Sequence, residues 1–175
     1  MTNKNITIGI LSDSHGYLDP RVAEVVNQCD YIVHAGDIFN AQVLAQLKPG
    51  KELVAVTGNN DYPAAWHPDE ADIVAALPET SKLELPGGAI YIEHGHRLGN
   101  HPDHDALRRD HAEAKLIVYG HTHHRIIDQQ AEPWVVNPGA SGKVRTHGGP
   151  SCLVLYASEE EWKIETVLFA EEAAA

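Results

Sequence analysis

Five short segments carry the residues that could do chemistry: Ser12-Asp13-Ser14-His15, Gly36-Asp37, Gly58-Asn59-Asn60-Asp61, His94-Gly95-His96 and Gly120-His121-Thr122-His123-His124. The last crowds three imidazoles into four positions. It is internal, unlike a purification tag, which leaves a structural cluster or a metal site. Asp13, His15, Asp37, Asn59, His94, His121 and His123 together offer more donors than the four a zinc ion usually takes. They suit two ions about 3.5–4 Å apart with a carboxylate between them. Oxygen and nitrogen donors without thiolate suit Mn²⁺, Fe, Zn²⁺, Co²⁺ or Ni²⁺ and do not choose among them. Taken singly, each segment has a plainer reading. Strand-end Asp and His cap helices, and Gly-Asp or Gly-Asn-Asn-Asp is a turn. The set, in this order, is what favours metal.

Each segment follows an apolar run. Ile6–Leu11 precedes Asp13, and Tyr31–Ala35 precedes Asp37. Leu53–Thr57 precedes Asn59, Ala89–Glu93 precedes His94, and Leu116–Tyr119 precedes His121. Short β-branched runs of this kind predict buried strands. In α/β sheets, ligands bind beyond the carboxyl ends of the strands, so five segments can converge on one rim. Asp13 and His15 are two apart, as are His121 and His123, and on extended backbone such residues project to one side.

Between these strands the pattern predicts helices. Pro20–Gln28 has Asp19 as its cap, Asn40 caps a helix to Leu47, a short helix spans Ala71–Leu77, and Asp103 caps one reaching about Ala114. The first part therefore reads βαβαβ with a parallel sheet. The remainder reads as a Lys82–Leu85/Ala89–Glu93 hairpin and later strands near Arg125–Asp128, Trp134–Val136, Cys152–Tyr156 and Trp162–Leu168, mostly antiparallel. Two sheets packed face to face with helices outside fit both parts.

The chain has 175 residues, 43% of them hydrophobic, which suits one domain over residues 1–170 with a frayed Glu/Ala tail at 171–175. A formal net charge of −12 argues against broad binding to nucleic acid backbones or anionic membranes. It leaves room for a small phosphorylated substrate, because bound metal inverts the local field. No apolar stretch approaches the ~20 residues of a membrane span, and no signal peptide precedes Ile6. Cys29 and Cys152 read as small buried thiols in a reducing compartment. A cytoplasmic protein is expected.

The five motifs, in this order, resemble the calcineurin-like metallophosphoesterases. Asn137-Pro138-Gly139-Ala140-Ser141 resembles that family's NPGS, and with the short length it points to the small prokaryotic phosphodiesterase-like branch. The resemblance covers about residues 6–165. It implies a four-layer α/β/β/α sandwich of two mixed sheets flanked by helices, with a dinuclear site. Carried onto this chain, Asp13, His15 and His123 would hold one metal, Asn59, His94 and His121 the second, and Asp37 would bridge them. Mn²⁺ is the expected ion, with Fe, Ni, Co or Zn as alternatives. Small members often form homo-oligomers.

The expected reaction is hydrolysis of a phosphodiester by a hydroxide activated between the two ions. Asn60, His96 and His121 are the candidate catalytic side chains, stabilising the developing charge. Asn60 stands where phosphomonoesterases of the superfamily carry a histidine. An amide donates a hydrogen bond but cannot act as a general acid, so either cleavage favours good leaving groups or another acid serves, for which His96, two residues from His94, is a candidate. The alternatives are a phosphomonoesterase with the same site and a protein-binding scaffold on the same fold, as in a eukaryotic retromer component.

Outside this set, Asp61 is expected to orient its neighbours, His34 to be a satisfied core histidine, and His124 to open the next strand. His67, His101, His104, His111 and His147 read as surface residues, and Arg97 as a loop cation.

Overall fold

In the computed structural model, which describes residues 5–172, the chain forms ten strands and four short α-helices. They are β1 (Ile6–Leu11), α1 (Pro20–Val26), β2 (Tyr31–His34), α2 (Ala41–Ala45), β3 (Glu52–Ala55), α3 (Ala71–Ala75), β4 (Thr80–Leu85), β5 (Gly88–Glu93), α4 (His104–Asp110), β6 (Leu116–Val118), β7 (Ile126–Asp128), β8 (Trp134–Asn137), β9 (Ser151–Ala157) and β10 (Trp162–Leu168). One five-stranded sheet has the order β10-β9-β1-β2-β3 and the other β4-β5-β6-β8-β7. β1, β2 and β3 are parallel, as the βαβαβ reading requires. β5, β6 and β8 are parallel too, while β4, β7, β9 and β10 pair antiparallel.

Apolar alternation packs the sheets together. Ile8, Ile10, Val33, Val54, Leu153 and Leu155 of the first sheet meet Leu83, Ile90, Ile92, Leu116, Val118 and Val136 of the second. Each fully buried Leu or Ile there stabilises the fold by roughly 1.5–3 kcal/mol. The outer face of the first sheet, with Leu11 and Ile32, packs on Val22 and Val26 of α1 and Val43 of α2. On the second, Ile117 and Val135 pack on Leu107 of α4. These are the expected four layers.

Helix starts follow the sequence and helix ends do not. Asp19 accepts the Arg21 amide at 2.9 Å and Asn40 that of Val43 at 3.0 Å. α1 stops at Val26 rather than Gln28, because Asn27 turns its side chain to the α2 end, donating to Gln46 O and accepting from Lys48 N. α4 stops at Asp110 rather than Ala114, because His111 leaves the helix at φ −132° and stacks on Tyr91, centroids 3.4 Å apart.

Among the described residues no helix is long and apolar enough to cross a membrane. Both cysteines are buried and free. Of the acidic tail, Glu171 is held by the Thr146 hydroxyl at 2.8 Å, and residues 173–175 lie outside the described residues.

Candidate metal centre

The carboxyl ends of β1, β2, β5 and β6 meet where the two sheets adjoin, and polar bonds tie them across the gap. His121 N donates to Asp13 Oδ2 at 3.0 Å, His94 Nδ1 donates to the Ala35 carbonyl at 2.8 Å, and the Ser141 amide and hydroxyl both reach Ser12 O. The backbone there is not extended. Asp13, His15, Asp37, His121 and His123 all have φ between 47° and 67°, the left-handed region. The expectation that residues two apart converge through an extended strand is therefore corrected: left-handed turns bring Asp13 and His15 together, while His121 turns to His94 and His123 to His15. Asp and His tolerate that region better than bulky side chains, at a cost of order 1–3 kcal/mol each.

Two glycines let the segments close up. A Cβ on Gly58 would overlap the Asp37 carboxylate, and one on Gly120 would lie 2.6 Å from Asp13 Oδ2.

Five of the sequence-predicted donors fall into two groups that share Asp13. One is Asp13, His15 and His123, the other Asp13, Asp37 and His94, with one donor atom from each residue within 4.8 Å of the rest. His123 Nε2 lies 3.5 Å from Asp13 Oδ1 and 3.1 Å from His15 Nε2. His94 Nε2 lies 3.9 Å from Asp13 Oδ1 and 3.5 Å from Asp37 Oδ2. Because His94 and His123 each donate Nδ1–H to a backbone carbonyl, Ala35 and Val144, their Nε2 atoms face the carboxylates. Asp13 Oδ1 and His94 Nε2 are buried without any hydrogen-bond partner. Buried polar atoms left in that state are costly unless something else satisfies them. The donor chemistry, the converging Nε2 atoms and the orphaned pair fit a divalent cation.

The local field points the same way. Burial opposes ionisation of Asp37, but hydrogen bonding and charge from His94, with two Asn60 donors, hold its carboxyl well below the usual range. Burial opposes charging His94, and Asp37 and Asp13 outweigh it, so its ring is raised. His123 is lowered, chiefly by burial. His121 is lowered by burial and then by His94.

The remaining predicted residues stand at the edge. Asn59 is exposed. The His121 ring lies edge-on to His94, centroids 5.3 Å apart. Asn60 donates to Asp37 twice, from its amide nitrogen at 3.1 Å and its side chain at 2.9 Å. His96 is exposed, its ring 5.5 Å from His94 and lowered first by burial and then by His94. His96 also borders a cavity of about 300 Å³ with Tyr91, Glu79 and His111.

Asp61 does orient its neighbours. It accepts the amides of Ile38, Phe39 and Gly58 and the Trp66 indole. His34 is a satisfied core histidine: Gly36 N donates to its Nδ1, so Nε2–H donates to Ser14 Oγ at 2.9 Å. His67, His101 and His147 are exposed. Two surface readings are corrected. His104 is half-buried because Nδ1 pairs with Asp128 at 2.6 Å and Nε2 with the Tyr119 hydroxyl. His111 is half-buried by its stacking on Tyr91. His124 precedes β7, which starts at Ile126, and stacks on His147 instead. Arg97 is paired with Glu93 and Asp110. Sequence reasoning missed two residues, Phe39, whose ring lies 4.5 Å from His15, and Arg145, whose guanidinium reaches 3.5 Å from His123 Nε2.

A family model described as the calcineurin-like phosphoesterase superfamily domain matches residues 6–160. The chain belongs to this superfamily. A probable metallophosphoesterase of Methanocaldococcus jannaschii is 31% identical over 140 residues, 76% of this chain and 67% of that protein. A phosphodiesterase of the same organism is 26% identical over 170 residues, 89% of this chain and 96% of that protein. Among solved structures, a Vps29 single mutant from Entamoeba histolytica matches with a TM-score of 0.73 at 17% identity, over 94% of this chain and 99% of that one, a likeness of fold. The calcineurin-like assignment accounts for the sandwich and for phosphoesterase chemistry as the class of activity.

Proposed function

We propose that this calcineurin-like protein is a phosphodiesterase that works with two divalent metal ions, Mn²⁺ foremost and Fe, Ni, Co or Zn as alternatives. The observation that carries the reading is the pair of donor groups sharing Asp13, in which Asp13 Oδ1 and His94 Nε2 are buried without a hydrogen-bond partner. Asp13, His15 and His123 are the proposed ligands of one ion, Asn59, His94 and His121 of the other, with Asp37 between them. When bound, such ions supply an activated water for attack on phosphorus and compensate charge on the phosphoryl oxygens.

The chain's own residues do the rest. Asp37 is kept ionised by His94 and Asn60 and so stays ready to take a cation. Asn60 offers amide hydrogens, from a position beside Asp37, to a phosphate oxygen. His96, at the rim of the adjoining cavity, is the candidate donor of a proton to the leaving oxygen. His121, half-buried beside His94, is the further candidate for stabilising developing charge. Diester over monoester is favoured by Asn60 and by similarity to a protein named as a phosphodiesterase. The substrate is a small phosphorylated molecule. A cytoplasmic location goes with the reading, since both thiols are free.

The test is hydrolysis of an activated aryl phosphodiester and its monoester by metal-stripped protein, before and after adding Mn²⁺. A metal-dependent rate, higher on the diester and lost in Asp37→Ala, is expected. Full activity in Asp37→Ala would sink the ligand assignment. Bound Mn²⁺ with no turnover would move the reading to a protein-binding scaffold.

A further inference from the structure

We propose that Arg145 grips the phosphoryl group of the ester bound at this centre, donating through its guanidinium to a non-bridging oxygen. The inference rests on the phosphoesterase reading above and adds a substrate contact to it.

Four observations carry it. The Arg145 Nη2 atom lies 3.5 Å from His123 Nε2, the atom of that ring turned toward Asp13. The guanidinium is therefore at the edge of the donor cluster.

Arg145 is also the odd one among the chain's six arginines. Arg21, Arg97, Arg108 and Arg109 each pair with a carboxylate. Arg125 is spent on the backbone carbonyls of Thr146, His147 and Gly149. Arg145 has neither kind of partner among the described residues, in a chain of net charge −12.

Its backbone is left-handed, at φ 48°, like that of the donors. A non-glycine residue held there signals that the surroundings dictate the conformation.

Those surroundings can be named. The Val144 carbonyl accepts from His123 Nδ1, and Arg125 holds the carbonyls of Thr146, His147 and Gly149. The Thr146 hydroxyl is tied to Glu171. Arg145 thus stands on a clamped loop with its guanidinium turned to His123 and to no carboxylate among the described residues. The planar fork of a guanidinium suits two oxygens of one phosphate, which an ammonium does not match. Arg145 is exposed, so its replacement leaves the core untouched.

The experiment titrates inorganic phosphate into the Mn²⁺-loaded full chain by calorimetry, for wild type, Arg145→Gln and Arg145→Lys. It also measures Mn²⁺ affinity and aryl diester turnover for each. Arg145→Gln should bind phosphate about 10- to 100-fold more weakly and lose about 100-fold in kcat/KM, a loss typical of removing one preorganised donor. Mn²⁺ affinity should hold. Arg145→Lys should recover part of both losses. Phosphate binding as tight as wild type in Arg145→Gln overturns the proposal, and so does a loss of Mn²⁺ affinity that accounts for the weaker binding. If wild type hydrolyses no ester yet its phosphate binding depends on Arg145, the hydrolase reading falls and the anion contact stands.

Discussion

Asp61 fixes the backbone that carries Asp37. Its carboxylate accepts the amides of Ile38 at 3.0 Å and Phe39 at 2.9 Å, directly after Asp37, and that of Gly58 at 2.9 Å from the facing loop. Asp61→Ala leaves these buried donors without an acceptor, which should cost about 3–5 kcal/mol. Asp61→Asn keeps one acceptor and should cost less. Because Asp37 then loses its fixed place, Mn²⁺ affinity should fall about 10- to 100-fold in either variant. Denaturant unfolding and Mn²⁺ titration check the two effects. A folded variant with wild-type Mn²⁺ affinity would show that the Asp37 loop stands without Asp61.

Gly58→Ala should damage the site through one methyl group. The new Cβ would overlap Asp37 Oδ1 and the Asp37 amide, so one of the two loops must move. Overpacking of this kind costs typically about 1–3 kcal/mol. Turnover should fall much further than the melting temperature suggests. A variant as active as wild type would mean that the Asp37 carboxylate has room to move.

His34 makes the fold sensitive to acid. Its pKa is lowered to about 4, first by burial, against the raising effect of nearby carboxylates. In the unfolded chain it titrates near its ordinary 6.5. The unfolded state therefore binds more protons between those values, and stability contributed by neutral His34 is full above about pH 6.5 and lost as pH falls toward 4. The effect is of order 3 kcal/mol. Unfolding free energies of wild type and His34→Gln across this window check it. The variant should show a flatter slope, and an unchanged slope would remove His34 as the cause.

His96 should matter in proportion to the leaving group. Its exposed ring sits beside the cavity next to His94. His96→Gln should leave hydrolysis of an activated aryl diester nearly intact, while an alkyl diester loses about 10²–10⁴-fold. Equal losses on both substrates would assign His96 to binding instead of proton donation.

The sandwich was legible because its strands are short apolar runs bounded by turn residues, and ten of them lie where those runs do. The donor segments were legible because each follows such a run. Their geometry was not, since Asp13 or His123 at positive φ reads like any other Asp or His. Side chains settled by distant partners were also missed. The end of α4 depends on Tyr91, twenty residues from His111, and His104 on Asp128, 24 residues away. Arg145 lies beyond the Asn137–Ser141 motif in a loop with no periodicity, and only the fold brings it to His123.

Hydrophobic contact between two sheet faces is non-directional, so their alignment rests on how side chains interdigitate and on whatever polar bonds cross between them. Here the bonds from His121 to Asp13, from His94 to the Ala35 carbonyl and from Ser141 to Ser12 run from one sheet to the other at a single edge. Directional bonds of this kind select one alignment. The same few residues thus set how the halves of the molecule are stacked. A chain stripped of them could keep its greasy interior and still lose the angle at which its sheets meet.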